Sequence, residues 1–357
     1  MKQQFRPWGA AAWLFGKLPS LQWSAFAVAS TEERCLALLD HGEQFSGRIR
    51  VLEIRDPIVE AEAEELISKR RETFIQAGVP EREIVPVALF ADMDTVQDQV
   101  DAALALGKSN ICLDISAMPK RWFFPLCRAL LKDESAKNVV VMYGLPEKYG
   151  QELAQNPEPM RALPGFPGDE RTDYDVAVIG VGFEPLAITS LFELQVRSIG
   201  MLFPFPPGPP GVGRNWMFVK HLEDRTNETE KIPSQAGSFH VNTYDCPQMF
   251  DAIREMGGPD TRMVLAPYGP KTMSLAMCLI SLAASEAGWP QIPAYYAQPK
   301  RYLVDYSSGI KRKGGVAVMQ AYAIKLNGQA LYTLPAKNAD APQIAKRSGE
   351  GGGALVT

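Results

Sequence analysis

The chain has 357 residues, 46% of them hydrophobic and 22% charged, the balance of a globular chain of about two domains. That balance excludes wholesale disorder, a coiled coil and a collagen-like rod. Lys and Arg number 37 against 41 Asp and Glu, a net charge of −4, which excludes a general nucleic-acid coat but allows one basic groove.

The first residues imitate a signal peptide, with Lys2 and Arg6, an apolar stretch over 9–16, and Ala27-Val28-Ala29. Lys17 interrupts that stretch, and cleavage after Ala29 would remove the first strand, so no leader is expected. From 23 to 143 strands alternate with helices. Strands are predicted at 23–29, 48–54, 85–91, 110–115 and 138–143, and helices at 31–39, 59–76, 95–106 and 119–132. Such alternation means a parallel sheet with right-handed crossovers, a Rossmann-like layout. Residues 156–173, with four prolines, read as a linker.

The pattern then repeats. Strands are predicted at 175–181, 198–203, 238–243, 263–266 and 294–297, and helices at 186–194, 215–222, 247–256 and 270–284. At a constant offset of 151, Pro119-Lys120 falls on Pro270-Lys271, Asp94 on Asp245 and Gly107 on Gly258. Pro146-Glu147-Lys148-Tyr149 meets Pro299-Lys300-Arg301-Tyr302 two residues later. The expected fold is therefore α/β: two tandem Rossmann-like domains, 1–155 and 174–310, related by internal duplication. Asn327-Gly328 between apolar runs predicts a C-terminal hairpin within 311–336, followed by a disordered tail over 337–357.

The cysteines Cys35, Cys112, Cys127, Cys246 and Cys278 are odd in number and lack a CxxC pair. They read as buried apolar groups in a reducing cytoplasm rather than disulfides or zinc ligands. The apolar run from 273 to 284 is too short for a membrane span, which needs about 20 residues. Neither a membrane, a metal, a cofactor nor sequence-specific nucleic acid is an expected partner.

Ligands of open α/β sheets bind beyond the carboxyl ends of the strands. After the fourth strand of each half, Ser116-Ala117-Met118-Pro119-Lys120 corresponds to Pro267-Tyr268-Gly269-Pro270-Lys271-Thr272. Proline suits a first helical turn, and a helix start with a lysine beside it suits a phosphate, unless the lysine is merely solvated. After the first strand, Ser30 and Glu33 form a capping-box pattern, and the hydroxyls of Ser30 and Thr31 are also placed to touch ligand. The second half has Gly180-Val181-Gly182-Phe183-Glu184-Pro185 there, a dinucleotide fingerprint broken by Pro185. Gly182 permits close backbone approach, and Glu184 serves either a ligand or the helix start.

The stiff Pro/Gly segment at 204–214 ends in Arg214 and is followed by Asn215 and Trp216. Arg214 could clamp a phosphate and Trp216 stack on a base, or the segment could be a rigid lid with Trp216 in the core. No Walker loop, GxSxG elbow or metal-spaced histidine pattern is present. The catalytic candidates are the strand-end acids Asp114 and Glu184.

A five-stranded Rossmann-like unit with a Ser-x-x-x-Lys or Gly-x-Lys turn after strand four, here Ser116–Lys120 and Gly269–Lys271, resembles the CARF domain. Two such units in one chain are similar to the SAVED arrangement. The resemblance implies binding of a cyclic oligonucleotide in prokaryotic antiviral defence, with Ser30, Thr31, Lys120 and Lys271 holding it. The expected function is a nucleotide-binding sensor or regulatory subunit working with a separate effector. The alternatives are a small enzyme acting on a nucleoside or nucleotide, and a ligand-free structural subunit.

Overall fold

A computed structural model describes residues 5–18, 21–45, 48–58, 60–107, 109–150, 152–168, 173–185, 187–206, 212–226 and 234–337. β1 (Trp8–Ala10) and α1 (Ala11–Lys17) precede β2 (Ser24–Ala29). A 3-10 segment, Glu33–Gln44, leads to β3 (Ile49–Arg55), α2 (Ala61–Gln76), β4 (Ile84–Ala88), α3 (Met93–Gly107), β5 (Asn110–Asp114), α4 (Lys120–Lys132) and β6 (Asn138–Gly144). Three short strands follow: β7 (Lys148–Tyr149), β8 (Ala154–Pro157) and β9 (Arg161–Ala162). Next come β10 (Asp173–Gly180), a 3-10 turn Ile188–Glu193, β11 (Gln195–Phe205), α5 (Val212–Thr226), β12 (Ser234–Asn242), α6 (Cys246–Glu255), β13 (Met263–Pro267) and α7 (Lys271–Glu286). The chain ends with β14 (Tyr295–Tyr296), β15 (Pro299–Tyr302), β16 (Ser307–Ser308), β17 (Arg312–Lys313), β18 (Val316–Ala317), β19 (Met319–Leu326) and β20 (Gln329–Ala330).

Two parallel-rich sheets result. The first runs β1-β19-β6-β5-β2-β3-β4, parallel from β6 to β4 with β19 and β1 antiparallel at one edge. The second runs β12-β11-β10-β13, all parallel. Counted within each half, the strand order is the same through the fourth strand. β2 and β6 are buried along their whole length, which is why they read as continuous apolar runs rather than alternating ones.

Several expectations need correction. The fifth strand predicted at 294–297 is reduced to one parallel bridge, Leu265 to Ala294. Pro290 and Pro293 have no N–H for a ladder, and the following Tyr295 and Tyr296 pair antiparallel with β9 instead. The helices predicted at 31–39 and 186–194 are 3-10 segments. The Asn327-Gly328 hairpin forms, both residues at positive φ as a type I′ turn requires, but its first strand, β19, is an edge of the first sheet. Residues 8–17 are built into the fold: β1 pairs with β19, and Phe15 packs edge-on against Trp23 and Phe45. Within the expected linker, β9 pairs with β14, and Leu163 and Phe166 are buried. The expected tail, from 338 on, lies outside the described residues.

One hydrophobic cluster runs through both halves, joined where α4 packs against α7. Phe123, Phe124, Cys127 and Leu130 of α4 meet an α7 that is apolar nearly all round, so the 273–284 run is a core helix. The Cys278 thiol contacts the Phe124 carbonyl at 3.9 Å. All five cysteines are free and buried. No helix among the described residues is long and apolar enough to cross a membrane. The α4–α7 contact brings the carboxyl ends of both sheets to one place.

Candidate functional site

That place is a cavity of about 420 Å³, within the range of small-molecule sites. Its floor is made by the loops after β2, β3, β5, β10 and β13, and its roof by Tyr149, Leu153 and Ala154 and by chain from 296–306. The roof strands are too short to stand alone. They form three antiparallel ladders, β7 with β16, β8 with β15 and β9 with β14, each joining the chain after one sheet to the chain after the other.

Two lysines dominate the floor. Lys120 opens α4 and Lys271 opens α7, and both line the cavity. Each helix starts after a proline in extended conformation with no side-chain cap. The prolines are thus helix caps rather than first-turn residues, one position earlier than expected. Each lysine reaches into the opposite half. Lys120 Nζ stands 4.3 Å from the centre of the Tyr296 ring, and Lys271 Nζ donates to the Ser116 carbonyl at 2.8 Å. Among the described residues neither is paired with a carboxylate. Both are half-buried, with some surface open to the cavity but protein atoms packed round the amine. Burial pushes the Lys120 amine down to about 7. It pushes Lys271 well below the usual lysine range; Arg34 and Lys120 add to this, while Glu32 and Asp114 oppose it.

Of the other cations on the wall, Lys311 is exposed, Arg301 is paired with Glu60 at 2.6 Å, and Arg34 is committed elsewhere. Arg34 is buried, 2.6 Å from Glu32, and donates to the hydroxyls of Tyr143 and Tyr149 at 3.2 and 3.4 Å. Ser307 donates to the same Glu32 carboxylate, so this ion pair ties the roof to the floor. Two further carboxylates do likewise. Asp56, pushed up to about 6 by burial, accepts from the Tyr302 N–H at 3.2 Å. Glu184, also raised by burial, accepts from the Leu153 N–H at 2.6 Å and lies 3.5 Å from Arg214. Each acid belongs to one sheet and holds the roof segment that follows the other.

Of the residues singled out by sequence, Ser30, Thr31, Lys120, Gly182, Glu184, Asn215, Tyr268, Gly269 and Lys271 share this wall. Asp114, Ser116, Arg214 and Thr272 stand off it. Asp114 is buried and pushed up to about 6; it accepts from both the N–H and the hydroxyl of Ser116. The Ser116 hydroxyl in turn accepts from the Gly144 N–H at 2.6 Å. Thr272 donates to the Thr243 carbonyl, and Arg214 donates to the Gly150 carbonyl at 2.8 Å. The Ser30–Glu33 capping box does not form: the 3-10 segment is uncapped, and Ser30 accepts from the Glu32 N–H at 3.3 Å. The close approach at Gly182 is to protein, since a Cβ there would lie 2.0 Å from the Tyr268 carbonyl oxygen. Trp216 is neither in the core nor on the cavity; it is 62% exposed. Residues 207–211 of the Pro/Gly segment lie outside the described residues.

Sequence reasoning missed the aromatic wall. Tyr143, Tyr149, Phe183, Tyr244, Tyr296, Tyr302 and Tyr306 line the cavity beside Tyr268. Tyr149 meets Phe183 at 5.6 Å and Tyr306 at 6.3 Å, and Tyr268 meets Tyr296 at 5.2 Å between ring centres. The available signal was the matched Tyr149 and Tyr302 at the ends of the two Pro-containing segments. Flat rings beside two amines make a surface suited to an anion that carries planar groups. No protein-family model matches this chain, and no curated protein is detectably similar to it.

Proposed function

We propose that the cavity binds a nucleotide, of cyclic di- or oligonucleotide type, and that the protein is a ligand sensor acting on a separate effector. The observation that carries this reading is the convergence of Lys120 and Lys271, from opposite halves, on one cavity, neither paired with a carboxylate among the described residues. Two buried amines without a paired carboxylate are costly to charge, and that cost is relieved by a phosphate at the two helix starts. The tyrosines supply stacking faces. A ligand touching both lysines links the two halves, which gives a sensor something to report. On this reading the halves descend from one duplicated Rossmann-like unit, in keeping with the likeness to CARF and SAVED proteins and to a role in antiviral defence.

An enzyme using Asp114 or Glu184 has less support. Asp114 is off the cavity wall, and Glu184 is engaged with the roof. The test is a thermal-shift screen with cyclic di-, tri- and tetranucleotides, because a ligand that prefers the folded state must stabilise it. A rise in melting temperature that grows with ligand concentration is expected. No shift with any of them at millimolar concentration rejects the reading.

A further inference from the structure

We propose that Lys120 is a nucleophilic amine, and that the cavity takes a small aldehyde carrying a phosphate, whose carbonyl carbon Lys120 bonds as an imine. Such chemistry needs only the ligand-free cavity and stands apart from nucleotide binding. Lys120 opens α4 and lines the cavity. Its Nζ stands 4.3 Å from the centre of the Tyr296 ring and donates no hydrogen bond among the described residues. The same Nζ is not sealed off; it keeps accessible surface toward the cavity. Lys271 differs, since its Nζ donates to the Ser116 carbonyl at 2.8 Å. The carboxylates of the wall are held by other partners or exposed. Glu32 pairs with Arg34 and Glu60 with Arg301, each at 2.6 Å. Asp56 and Glu184 accept from the Tyr302 and Leu153 N–H groups, and Glu147 is exposed.

A lysine is kept charged by water, acceptors or carboxylates, and here a ring face is the one protein partner of the amine. Its neutral form is accordingly favoured, with titration at about 7, and the lone pair is free to attack a carbonyl. Lys271 feels the charge of Lys120, so the two amines stand within electrostatic reach of each other in one cavity. A phosphate seated on Lys271 and the start of α7 leaves a carbonyl group within the same space as Lys120. Tyr296 and Tyr268, with ring centres 5.2 Å apart, offer a flat wall to a planar aldehyde. In the reaction the Nζ lone pair forms a C–N bond to the carbonyl carbon and the C=O π pair moves to oxygen. That oxygen then leaves as water with both amine hydrogens, and the C=N bond closes.

The reagent for the test is pyridoxal 5′-phosphate, a flat aldehyde with a phosphate, added to the full chain at neutral pH. Borohydride fixes any imine by delivering hydride to its carbon, and peptide mapping ranks the labelled lysines. Lys120 is expected to be labelled roughly tenfold to a hundredfold faster than Lys311, an exposed lysine of the same wall, because an ordinary lysine is almost wholly protonated near neutrality. The same aldehyde without its phosphate, 5-deoxypyridoxal, is expected to label Lys120 roughly tenfold more slowly. Lys120→Met and Lys120→Arg are expected to lose the fast label while Lys311 keeps its slow one. Labelling of Lys120 no faster than of Lys311, or fast labelling at Lys271 instead, overturns the inference on the wild-type chain alone, whether or not a variant folds. Equal rates with the two aldehydes overturn the assignment of a phosphate to the substrate.

Discussion

Lys120 and Lys271 are the residues on which the account turns, and their contacts define what each contributes. Neither ammonium is part of a buried carboxylate pair, so truncation strands no opposite charge. Lys120→Ala or Lys271→Ala is therefore expected to leave the melting temperature nearly unchanged or raise it. The same changes remove a charge-assisted contact to phosphate, of about 1.5–3 kcal/mol, and should weaken nucleotide binding roughly tenfold to a hundredfold. Calorimetric titration beside thermal melting checks both halves of the prediction. A variant that loses stability while keeping affinity would mean that the lysine is structural.

The lowered amine also fixes the sign of the pH dependence. Lys120 titrates near 7 in the folded chain, against about 10.4 for a free lysine. Between those values the unfolded chain holds a proton that the folded chain lacks, so the empty protein gains stability as pH rises through that window. Ligand affinity runs the other way, because a phosphodiester keeps its charge while the amine loses its own. Nucleotide affinity is expected to fall by up to about tenfold per pH unit above pH 7, for each proton taken up on binding. Titration in buffers of different ionisation enthalpy measures that uptake directly. A Lys120→Arg variant, charged throughout, should lose this part of the slope.

At the scale of elements, the roof is the part that can respond to a ligand. Its strands are two to four residues long, and carboxylates on the floor hold it through the N–H groups of Tyr302 and Leu153. A ligand between roof and floor is expected to slow amide hydrogen exchange across 148–157 and 299–308 while leaving the central strands unchanged. Unchanged exchange in the roof would leave the sensor without a moving part. Gly182 makes a different point. A Cβ there would meet the Tyr268 carbonyl at 2.0 Å, so Gly182→Ala is expected to destabilise the chain by about 1–3 kcal/mol, readable by denaturant unfolding.

Legibility differed by element for physical reasons. The first sheet was readable because its buried parallel strands are long apolar runs between helical patterns. The roof was not, because two-residue strands carry no periodicity and a proline-rich stretch has the composition of a linker whether or not it pairs. The Pro-Lys turns were readable from sequence because they recur at one offset. Arg34 and the aromatic wall beside Tyr268 were not, since only the packing of α4 on α7 brings the two sheet ends together.

The molecule as a whole follows from that packing. The apolar face of α4 is covered by α7, and the first sheet is completed by β19, which the chain supplies only after the second sheet. The two halves should therefore unfold in one cooperative transition, and a chain cut at residue 155 should not fold, as circular dichroism and calorimetry can establish. Two separate transitions would mean independent domains and a weaker case for a shared cavity. The central claim is that one ligand engages both halves at once. Its most direct test is a calorimetric titration of the intact protein with whichever cyclic nucleotide gives the largest thermal shift, repeated on Lys120→Ala, Lys271→Ala and the double variant. The account predicts one ligand per chain, weaker binding in each single variant and a larger loss in the double variant. Two ligands per chain, or full affinity after loss of either lysine, would contradict it.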